Sequence, residues 1–291
     1  MFNMALSVFT EDESFPFFIQ FGGHKNGLYM HVHTDFSELV IVTEGSAEHI
    51  VNQERYRIQK GDVFVINNDT AHGYEDTQNF QICNIMFRPS FWLGGEYDIV
   101  KTAGFQALFV LEPHYVRQSR FSSRLRLTLD EYMGVVSVCN ELYREYTDRR
   151  DGWKTAFTAD FLRLSASLSR MYRIEQVDAK DIFLNLAKSV AFMETHFTEN
   201  VSVAQLARMS NYSERQFIRV FEKAYRCRPT DYLTNLRIRC ACRLLETTRS
   251  SVTEVALKSG YGDCNYFSRM FRKQLGVTPT QYRTAAGVLH F

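Results

Sequence analysis

The sequence lacks the features that would place it in a membrane or outside the cell. It has no run of eighteen or more apolar residues, the length at which a segment becomes a candidate membrane helix. Its N-terminal stretch has neither a basic start nor a long apolar run, so it does not resemble a secretory signal. The six cysteines form no CxxC pair, which favours reduced thiols over a disulfide framework. We therefore expect a cytoplasmic protein without membrane association.

The chain is long enough for two domains, and its charge is divided unevenly along its length. With 291 residues it can bury two cores, and its 45% hydrophobic and 23% charged content is typical of a globular protein. Residues 181–291 hold 16 Lys and Arg against 9 Asp and Glu, a net charge of +7, while the remainder carries −6. We therefore expect a polyanion to bind the C-terminal part alone.

The pattern of apolar residues changes from strand-like to helical along the chain. Alternation between about residues 15 and 90, broken by turn pairs such as Gly61-Asp62, predicts an antiparallel sandwich or barrel. From about residue 125 a helical period on both sides of Asp151-Gly152 predicts two amphipathic helices joined as a hairpin. Their apolar stripes can pack on the β-domain, or one stripe can pair with a second subunit; the sequence favours neither.

The last third of the chain contains an internal repeat. Residues 206–212 align with residues 255–261 at an offset of 49, and after one extra residue the alignment resumes at an offset of 50. There Pro229-Thr230-x-Tyr232 matches Pro279-Thr280-x-Tyr282. Agreement along a whole unit predicts two copies of one structural element.

Each copy has the layout of a helix-turn-helix. In the second copy Thr253 is expected to cap the first helix. A tight turn follows at Asn211 in one copy and at Gly260 in the other, and both residue types tolerate positive φ. Ser213 and Asp263 then stand where the next helix needs an N-cap acceptor.

The outward face of the second helix in each copy suits base recognition. Arg215 and Arg219 are four residues apart in the first copy, and Asn265 and Arg269 have the same spacing in the second, beside Ser268. Arginine matches the guanine edge in the major groove and asparagine the adenine edge. The same layout in both copies favours DNA contact over ordinary exposed helix residues.

A helix over about residues 231–246 is expected to connect the two units. It would hold the two reading helices about one DNA turn apart, so that both enter successive major grooves on one face of the duplex. Arg237 lies on this helix, and we expect it to contact a phosphate.

The region from about 182 to 284 resembles the DNA-binding domain of the AraC/XylS family of bacterial transcription regulators. The resemblance rests above all on VALKSGY at 255–261 and NYFSRMFRKQLGVTPTQYR at 265–283. It implies double-stranded DNA and RNA polymerase as partners. We expect a homodimer, with the helical hairpin as the candidate interface, and an activator, although the sequence does not give the sign of regulation. The base-reading positions that the resemblance implies are Arg215, Ile218, Arg219, Cys264, Asn265, Ser268 and Arg269. Ile218 and Cys264 offer only apolar or weak contacts, for example with a thymine methyl group.

A second pattern lies in the N-terminal part, in HVHTDFSELVIVTEG at 31–45 and GDVFVINNDTAH at 61–72. It resembles the two cupin motifs, which implies a cupin β-barrel. Residues two apart on a strand point to one side, so His31 and His33 can face the same cavity. With Glu38 and His72 they would supply three imidazoles and a carboxylate, a set that suits a divalent transition metal.

The same four residues can instead line a polar pocket for a small effector without any metal. Asn67 and Asp69 stand where the cupin pattern has Pro and Gly, and Asp76 replaces its later Asn. Among regulators, residues 31–74 most resemble the sensor domains of rhamnose-operon activators, which implies a sugar-like effector.

We therefore expect a sequence-specific, effector-responsive transcription regulator and not an enzyme. The alternatives are a metal-dependent cupin dioxygenase or isomerase with an accessory helical domain, and a DNA-binding protein whose barrel only mediates oligomerisation. The expected fold is a multidomain α+β protein with four parts. They are a cupin-like antiparallel β-barrel over 1–120, a helical hairpin and dimerisation candidate over 121–174, a linker over 175–181, and an all-α domain with two helix-turn-helix motifs over 182–286.

Overall fold

The chain forms two compact units, Met1–Ala187 and Lys188–Phe291. The linker predicted over 175–181 and the predicted boundary at 120–121 lie outside the described residues. Within the described part of the chain, no helix is both long and apolar enough to cross a bilayer. The computed structural model describes residues 2–12, 14–24, 27–51, 54–68, 70–93, 97–111, 125–172 and 182–287.

Eight strands of the first unit form a single sheet. Apolar side chains from alternate positions of the longer strands, such as Val40, Val42, Phe80 and Ile82, form its buried core. The strands are β1 (Phe2–Met4), β2 (Phe17–Gly23), β3 (Leu28–His33), β4 (Ser37–Val51), β5 (Glu54–Gln59), β6 (Asp62–Ile66), β7 (His72–Phe87) and β8 (Leu125–Arg126).

The long antiparallel strands β4 and β7 form the centre of the sheet. On its other edge β4 pairs with β6 through its first half and with β5 through its second half. In the same way β7 pairs with β3 through its start and with β2 through its end. Register shifts between Val42 and Glu48, with a φ of 70° at Gly45, mark bulges in the middle of the β4–β7 ladder, and bulges bend a strand.

The strand order confirms the predicted β-rich N-terminal domain, although its sheet does not close into a complete barrel. The hydrogen-bonded path runs β1-β3-β7-β4-β6-β8, with β2 attached to β7 and β5 to β4. Among the described residues this path does not return to its first strand, since β1 and β8 are not paired with each other. Each of the long strands β4 and β7 has two different neighbours along its outer edge. The sheet is therefore open, and it is antiparallel apart from the β1–β3 pair.

The predicted helical hairpin is present as α1 (Leu129–Asp148) and α2 (Trp153–Met171). Gly152 takes a φ of 79° at the turn between them. The α2 rings of Phe157 and Phe161 lie 5.2 and 4.7 Å from the ring of Phe17 on β2, centroid to centroid. The apolar stripe of α2 therefore packs on the sheet, which is the first of the two alternatives that the sequence left open.

The helices of the C-terminal part repeat in the order that the sequence predicted. Two short pairs, α4 with α5 and α7 with α8, are the helix-turn-helix units, and α6 connects them. The helices are α3 (Ile182–His196), α4 (Val203–Met209), α5 (Glu214–Tyr225), α6 (Pro229–Thr247), α7 (Val252–Lys258), α8 (Cys264–Leu275) and α9 (Pro279–Gly287).

The turn and cap residues predicted for the second helix of each unit are confirmed. Asn211 and Gly260 have φ values of 56° and 88° at the turns. The Ser213 side chain accepts a hydrogen bond from the backbone N–H of Gln216 in α5, and Asp263 does the same for α8. Each cap satisfies an N–H group that has no partner within its helix.

The N-cap predicted for the first helix of the second unit is wrong. The cap is Ser251, whose hydroxyl accepts from the N–H of Glu254, while Thr253 lies inside α7. The Glu254 side chain in turn accepts from the backbone N–H of Ser251, which completes a capping box. Ser251 has a glutamate three residues later and Thr253 does not, so the reciprocal pair selects the earlier start.

Candidate functional site

The first candidate reading surface is the exposed side of α5. Phe217 and Phe221 are fully buried on its inner side. Arg215 and Arg219 are exposed one turn apart, and Ile218 beside them is half-buried. The structure therefore brings the three predicted residues together on one accessible face.

The exposed side of α8 has the same construction with different side chains. Asn265 and Arg269 are exposed, and Ser268 is half-buried between them. The Arg269 guanidinium lies over the ring of Tyr266, with 5.9 Å between Cζ and the ring centroid. Cys264 at the start of the helix accepts a hydrogen bond from the Thr253 hydroxyl at 3.7 Å. The two units thus present unlike surfaces on a common scaffold.

Arg237 occupies a different environment from these arginines. It is half-buried on α6, and it donates hydrogen bonds to the carbonyl oxygens of Phe197 and Glu199. A guanidinium group engaged with main-chain carbonyls favours a packing role over the phosphate contact that we expected from the sequence.

A pair of tyrosines shows that the repeat continues into the tertiary contacts. Tyr232 donates a short hydrogen bond to Oε1 of Glu194 near the end of α3. Tyr282, its counterpart, donates to Oε1 of Glu246 near the end of α6 at 2.5 Å. In each copy, a tyrosine that follows the second helix of the unit donates a hydrogen bond to a glutamate on the helix that precedes the unit.

The N-terminal unit brings the four predicted polar residues into one buried cluster. One ligand atom from each of His31, His33, Glu38 and His72 lies within 4.8 Å of every other. Nε2 of His33 is 3.3 Å from Oε1 of Glu38 and 3.3 Å from Nε2 of His72. We call this set the His/Glu cluster.

Strand geometry explains how residues far apart in the sequence meet in the His/Glu cluster. His31 and His33 are two apart on β3, and His31 pairs directly with His72 on β7. Nδ1 of His31 lies 2.9 Å from the carbonyl oxygen of Tyr29. A carbonyl only accepts, so Nδ1 carries the proton and Nε2 keeps a lone pair.

Sequence reasoning missed three neighbours of the His/Glu cluster. Nε2 of His49 lies 3.3 Å from Nδ1 of His72, and Nδ1 of His49 lies 2.5 Å from the Tyr56 hydroxyl. Asn84 donates to Oε1 of Glu38 at 3.1 Å. Alternation along β4 would place Glu38 and His49 on opposite faces, and the bulges around Gly45 bring both inward.

Burial keeps the imidazoles of this region uncharged. It lowers the pKa of His33 to about 3 and that of His49 to about 3, and it lowers the pKa of His72 well below its usual value. Burial raises the pKa of Glu38 to about 7, and the hydrogen bond from Asn84 opposes that rise. Neutral imidazoles have a lone pair that can bind a metal or accept a hydrogen bond.

Several buried polar atoms beside the His/Glu cluster have no hydrogen-bond partner among the described residues: Nδ1 of His33, the hydroxyl of Tyr74 and Oδ1 of Asn84. The Tyr74 ring lies 4.8 Å from that of His49, centroid to centroid. Tyr74 also lines a cavity of about 480 Å³, whose other lining residues are Phe2, Leu28, Tyr29, Met30, Ile50 and Glu75. This volume falls within the usual range for a small-molecule site.

Two family models match the chain, one in each part. An AraC-like ligand binding domain matches residues 17–132, and a helix-turn-helix domain matches residues 206–285. The first match covers all strands of the sheet except β1 and ends at the start of α1, and the second runs from α4 into α9.

The chain is also similar to named relatives over most of its length. It is 28% identical over 251 residues to the HTH-type transcriptional activator RhaS of Enterobacter sp. (strain 638), covering 86% of each chain. It is 26% identical over 278 residues to the HTH-type transcriptional activator RhaR of Mannheimia succiniciproducens, covering 96% of this chain and 95% of the relative.

Among solved structures, the chain is similar to the DNA-binding domain of AdpA, a global transcriptional factor, in complex with a target DNA. The two are 36% identical, and the match covers 36% of this chain and 96% of that domain, with a TM-score of 0.35.

Proposed function

We propose that this chain, whose two parts match an AraC-like ligand binding domain and a helix-turn-helix domain, is a transcription regulator of the AraC type that activates transcription in response to a small polar effector. The helix-turn-helix family match and the relatives named as transcriptional activators support a regulator over the metal-dependent enzyme, which was the alternative left by the sequence. A regulator of this kind acts where the chromosome is, so we propose a cytoplasmic location.

The observation that carries the DNA-binding proposal is the pair of equivalent exposed faces on α5 and α8. Arginine donates two hydrogen bonds to guanine and asparagine pairs with adenine, while Ile218 and Cys264 suit a thymine methyl group. Because the faces differ, each subunit would recognise an asymmetric site. We propose that the base contacts come from Arg215, Ile218, Arg219, Cys264, Asn265, Ser268 and Arg269.

Selection of DNA fragments by the purified full-length protein tests this proposal directly. We expect recovered fragments to share two unlike half-sites whose centres lie about one helical turn apart. Recovery of fragments without a common sequence, at affinities equal to those for random DNA, would refute specific recognition.

We propose that the effector is a sugar or similar polyol bound at the 480 Å³ cavity and the adjoining His/Glu cluster. Two features support this assignment. The Tyr74 hydroxyl and the Asn84 side-chain carbonyl are buried and have no hydrogen-bond partner in the part of the chain that the structure describes, so a ligand hydroxyl would satisfy them. The resemblance of this segment to rhamnose-operon activators favours a sugar as well.

Thermal unfolding with a sugar panel that includes L-rhamnose tests the effector. A ligand that binds the folded state alone raises the unfolding temperature, and the stabilisation grows with the logarithm of the ligand concentration once the site is saturated. We expect one sugar to do so and also to change the affinity of the protein for its selected DNA. A sugar that raises the unfolding temperature while leaving DNA binding unchanged would be a ligand without a regulatory role.

The His/Glu cluster favours a divalent transition metal as a second candidate ligand. His31, His33 and His72 would supply neutral imidazole nitrogens and Glu38 a carboxylate oxygen. A tetrahedral ion with bonds of about 2.1 Å separates its ligand atoms by about 3.4 Å. The observed separations of 3.3 Å around His33 match this spacing. Four protein ligands would fill a tetrahedral ion, so an effector oxygen would have to add as a fifth ligand for the ion to act on it as a Lewis acid.

We propose that the chain forms a homodimer through the outer side of α1. Leu129 and Met133 lie one turn apart there and are 71% and 61% exposed. A second copy of this chain would cover both side chains. Sedimentation analysis should show a dimer in the wild type and a monomer in Met133→Glu; an unchanged sedimentation coefficient would place the interface elsewhere.

RNA polymerase is the proposed partner for activation, which transcription reconstituted from purified components would test.

A further inference from the structure

Arg237 lies at the junction of the two helix-turn-helix units, on the helix α6 that connects them. Its Nε donates a hydrogen bond to the carbonyl oxygen of Phe197 at 2.7 Å, and its Nη2 donates to that of Glu199 at 2.8 Å. Both carbonyls belong to the segment that leads from α3 into the first unit. The guanidinium group is therefore hydrogen-bonded on one side to the segment between α3 and α4, which we call the entry segment of the first unit.

The other partner of this guanidinium group belongs to the second unit. The Cζ atom of Arg237 lies 5.6 Å from the centroid of the Tyr261 ring. Tyr261 is buried directly after the turn between α7 and α8, and its backbone N–H is bonded to the carbonyl of Ala256 in α7. The guanidinium therefore contacts the turn that sets the position of the second reading helix.

The same turn packs against the entry segment of the first unit. A Cβ atom at Gly260 would lie 2.7 Å from Cα of Thr198 and 3.0 Å from Nε of Arg237. With a φ of 88° as well, the position suits only glycine. The contact between the two units is thus close, and Arg237 lies within it.

These contacts give the two units a second connection besides the connecting helix. The second unit already packs on α6, because Ile238, Ala241 and Leu245 of α6 share its buried core. The contacts of Arg237 therefore bear on how the entry segment of the first unit is held against that assembly. A planar guanidinium can donate two hydrogen bonds in fixed directions and stack on a ring at the same time, whereas a lysine ammonium cannot. Burial lowers the pKa of Arg237, and the two carbonyl hydrogen bonds offset the cost of that desolvation.

We propose that Arg237 is a positioning residue that fixes the separation and orientation of the two reading helices, and so the half-site spacing that the protein accepts. The inference rests on the proposed base readout by both units. It assigns to Arg237 a role within the protein in place of the phosphate contact expected from the sequence.

The test measures how strictly the full-length protein selects the distance between half-sites. The DNA probes are the selected site, the same site with one or two base pairs inserted between its halves, and sites with either half randomised. The variants are Arg237→Met and Arg237→Lys. The matched control is Arg239→Met, which removes an exposed arginine two residues away on the same helix.

We expect both Arg237 variants to bind the selected site about tenfold more weakly. Without the Arg237 contacts the two reading helices would no longer be held at the separation that the site requires, so binding would have to order them. Binding to sites with one half randomised should change less than twofold, since each reading face is intact. The penalty for inserted base pairs should shrink in the variants and stay at its wild-type value in Arg239→Met. Arg237→Lys should resemble Arg237→Met although it keeps the charge.

Two results would overturn the inference. One is a spacing preference identical to that of the wild type in folded Arg237 variants. The other is an equal loss of affinity for every DNA probe, together with a slope of log K against log salt concentration that is smaller in magnitude by about 0.9. Such a change in slope is the signature of one lost phosphate contact. If Arg237→Met fails to fold, Arg237→Lys and Tyr261→Leu perturb the same contact. Failure of the wild type to select any site would refute the proposed base readout instead.

Discussion

Nε2 of His33 lies 3.3 Å from Nε2 of His72, and both rings are fully buried. Two neutral imidazoles at this distance cannot both direct lone pairs at each other without repulsion, so one nitrogen carries a proton or a cation lies between them. A proton on Nε2 of His33 could be donated to His72 or to Oε1 of Glu38, which is also 3.3 Å away. Burial disfavours protonation of either ring. The pair is therefore the most informative place to test what the N-terminal unit binds.

The first prediction concerns metal binding at this pair. Adding Zn²⁺ to chelator-treated protein, at a hundredfold excess over its dissociation constant, should stabilise the N-terminal unit by about 2.7 kcal/mol. His33→Ala should abolish the shift, because it removes a central ligand. His24→Ala is the control, since His24 contacts Tyr74 outside the His/Glu cluster. Equal shifts in wild type and His33→Ala, measured by calorimetry, would show that zinc binds elsewhere.

The second prediction compares two buried tyrosines that differ only in their hydrogen bonds. Tyr56→Phe removes a hydroxyl bonded to His49 and should lower the free energy of unfolding by about 1–3 kcal/mol. Tyr74→Phe removes a buried hydroxyl that has no partner among the described residues, and should leave the free energy unchanged or raise it by about 1 kcal/mol. Urea unfolding measures both. Tyr74→Phe should nevertheless weaken sugar binding; a loss of stability comparable to that of Tyr56→Phe would contradict this account.

The third prediction concerns the two arginines at the centres of the reading faces. Arg219→Ala and Arg269→Ala should each weaken binding to the selected DNA by about 1–3 kcal/mol and relax the preference at one base position. Arg163→Ala is the control, because Arg163 pairs with Glu141 and Asp160 on the helical hairpin. Competition binding against sites changed at single positions supplies the measurement. An undiminished preference at every position would remove both arginines from base readout.

The fourth prediction uses the repeated tyrosine–glutamate contact. The hydroxyl of Tyr232 meets a glutamate that is 5% exposed, whereas that of Tyr282 meets an exposed one. Tyr232→Phe should lower the unfolding free energy of the C-terminal unit by about 1–3 kcal/mol, and Tyr282→Phe by less than about 1 kcal/mol, because water replaces only the exposed hydrogen bond. Thermal unfolding followed by circular dichroism compares them. The reverse order of stability would show that burial does not govern these contacts.

Local chemistry in the sequence was sufficient to predict the repeated units. A helix start depends on a side-chain acceptor within three residues of the N–H that it caps, and a tight turn depends on the residue that takes positive φ. Ser213, Asp263, Asn211 and Gly260 could therefore be assigned from their neighbours alone. The prediction for Thr253 failed because the sequence offered hydroxyl residues at both 251 and 253, and only the reciprocal bond with Glu254 selects Ser251.

The tertiary structure decided what depends on residues distant in the chain. The sequence by itself predicted two unlike faces for base recognition and a His/Glu set in the N-terminal part. Only the fold left the sheet open, and its bulges brought His49 to the face that Glu38 occupies. Only the fold showed that Arg237 donates hydrogen bonds to carbonyls about 40 residues away, while its predicted phosphate contact stays a prediction. Periodicity and capping are properties of neighbouring residues, whereas such long-range contacts arise when whole elements pack together.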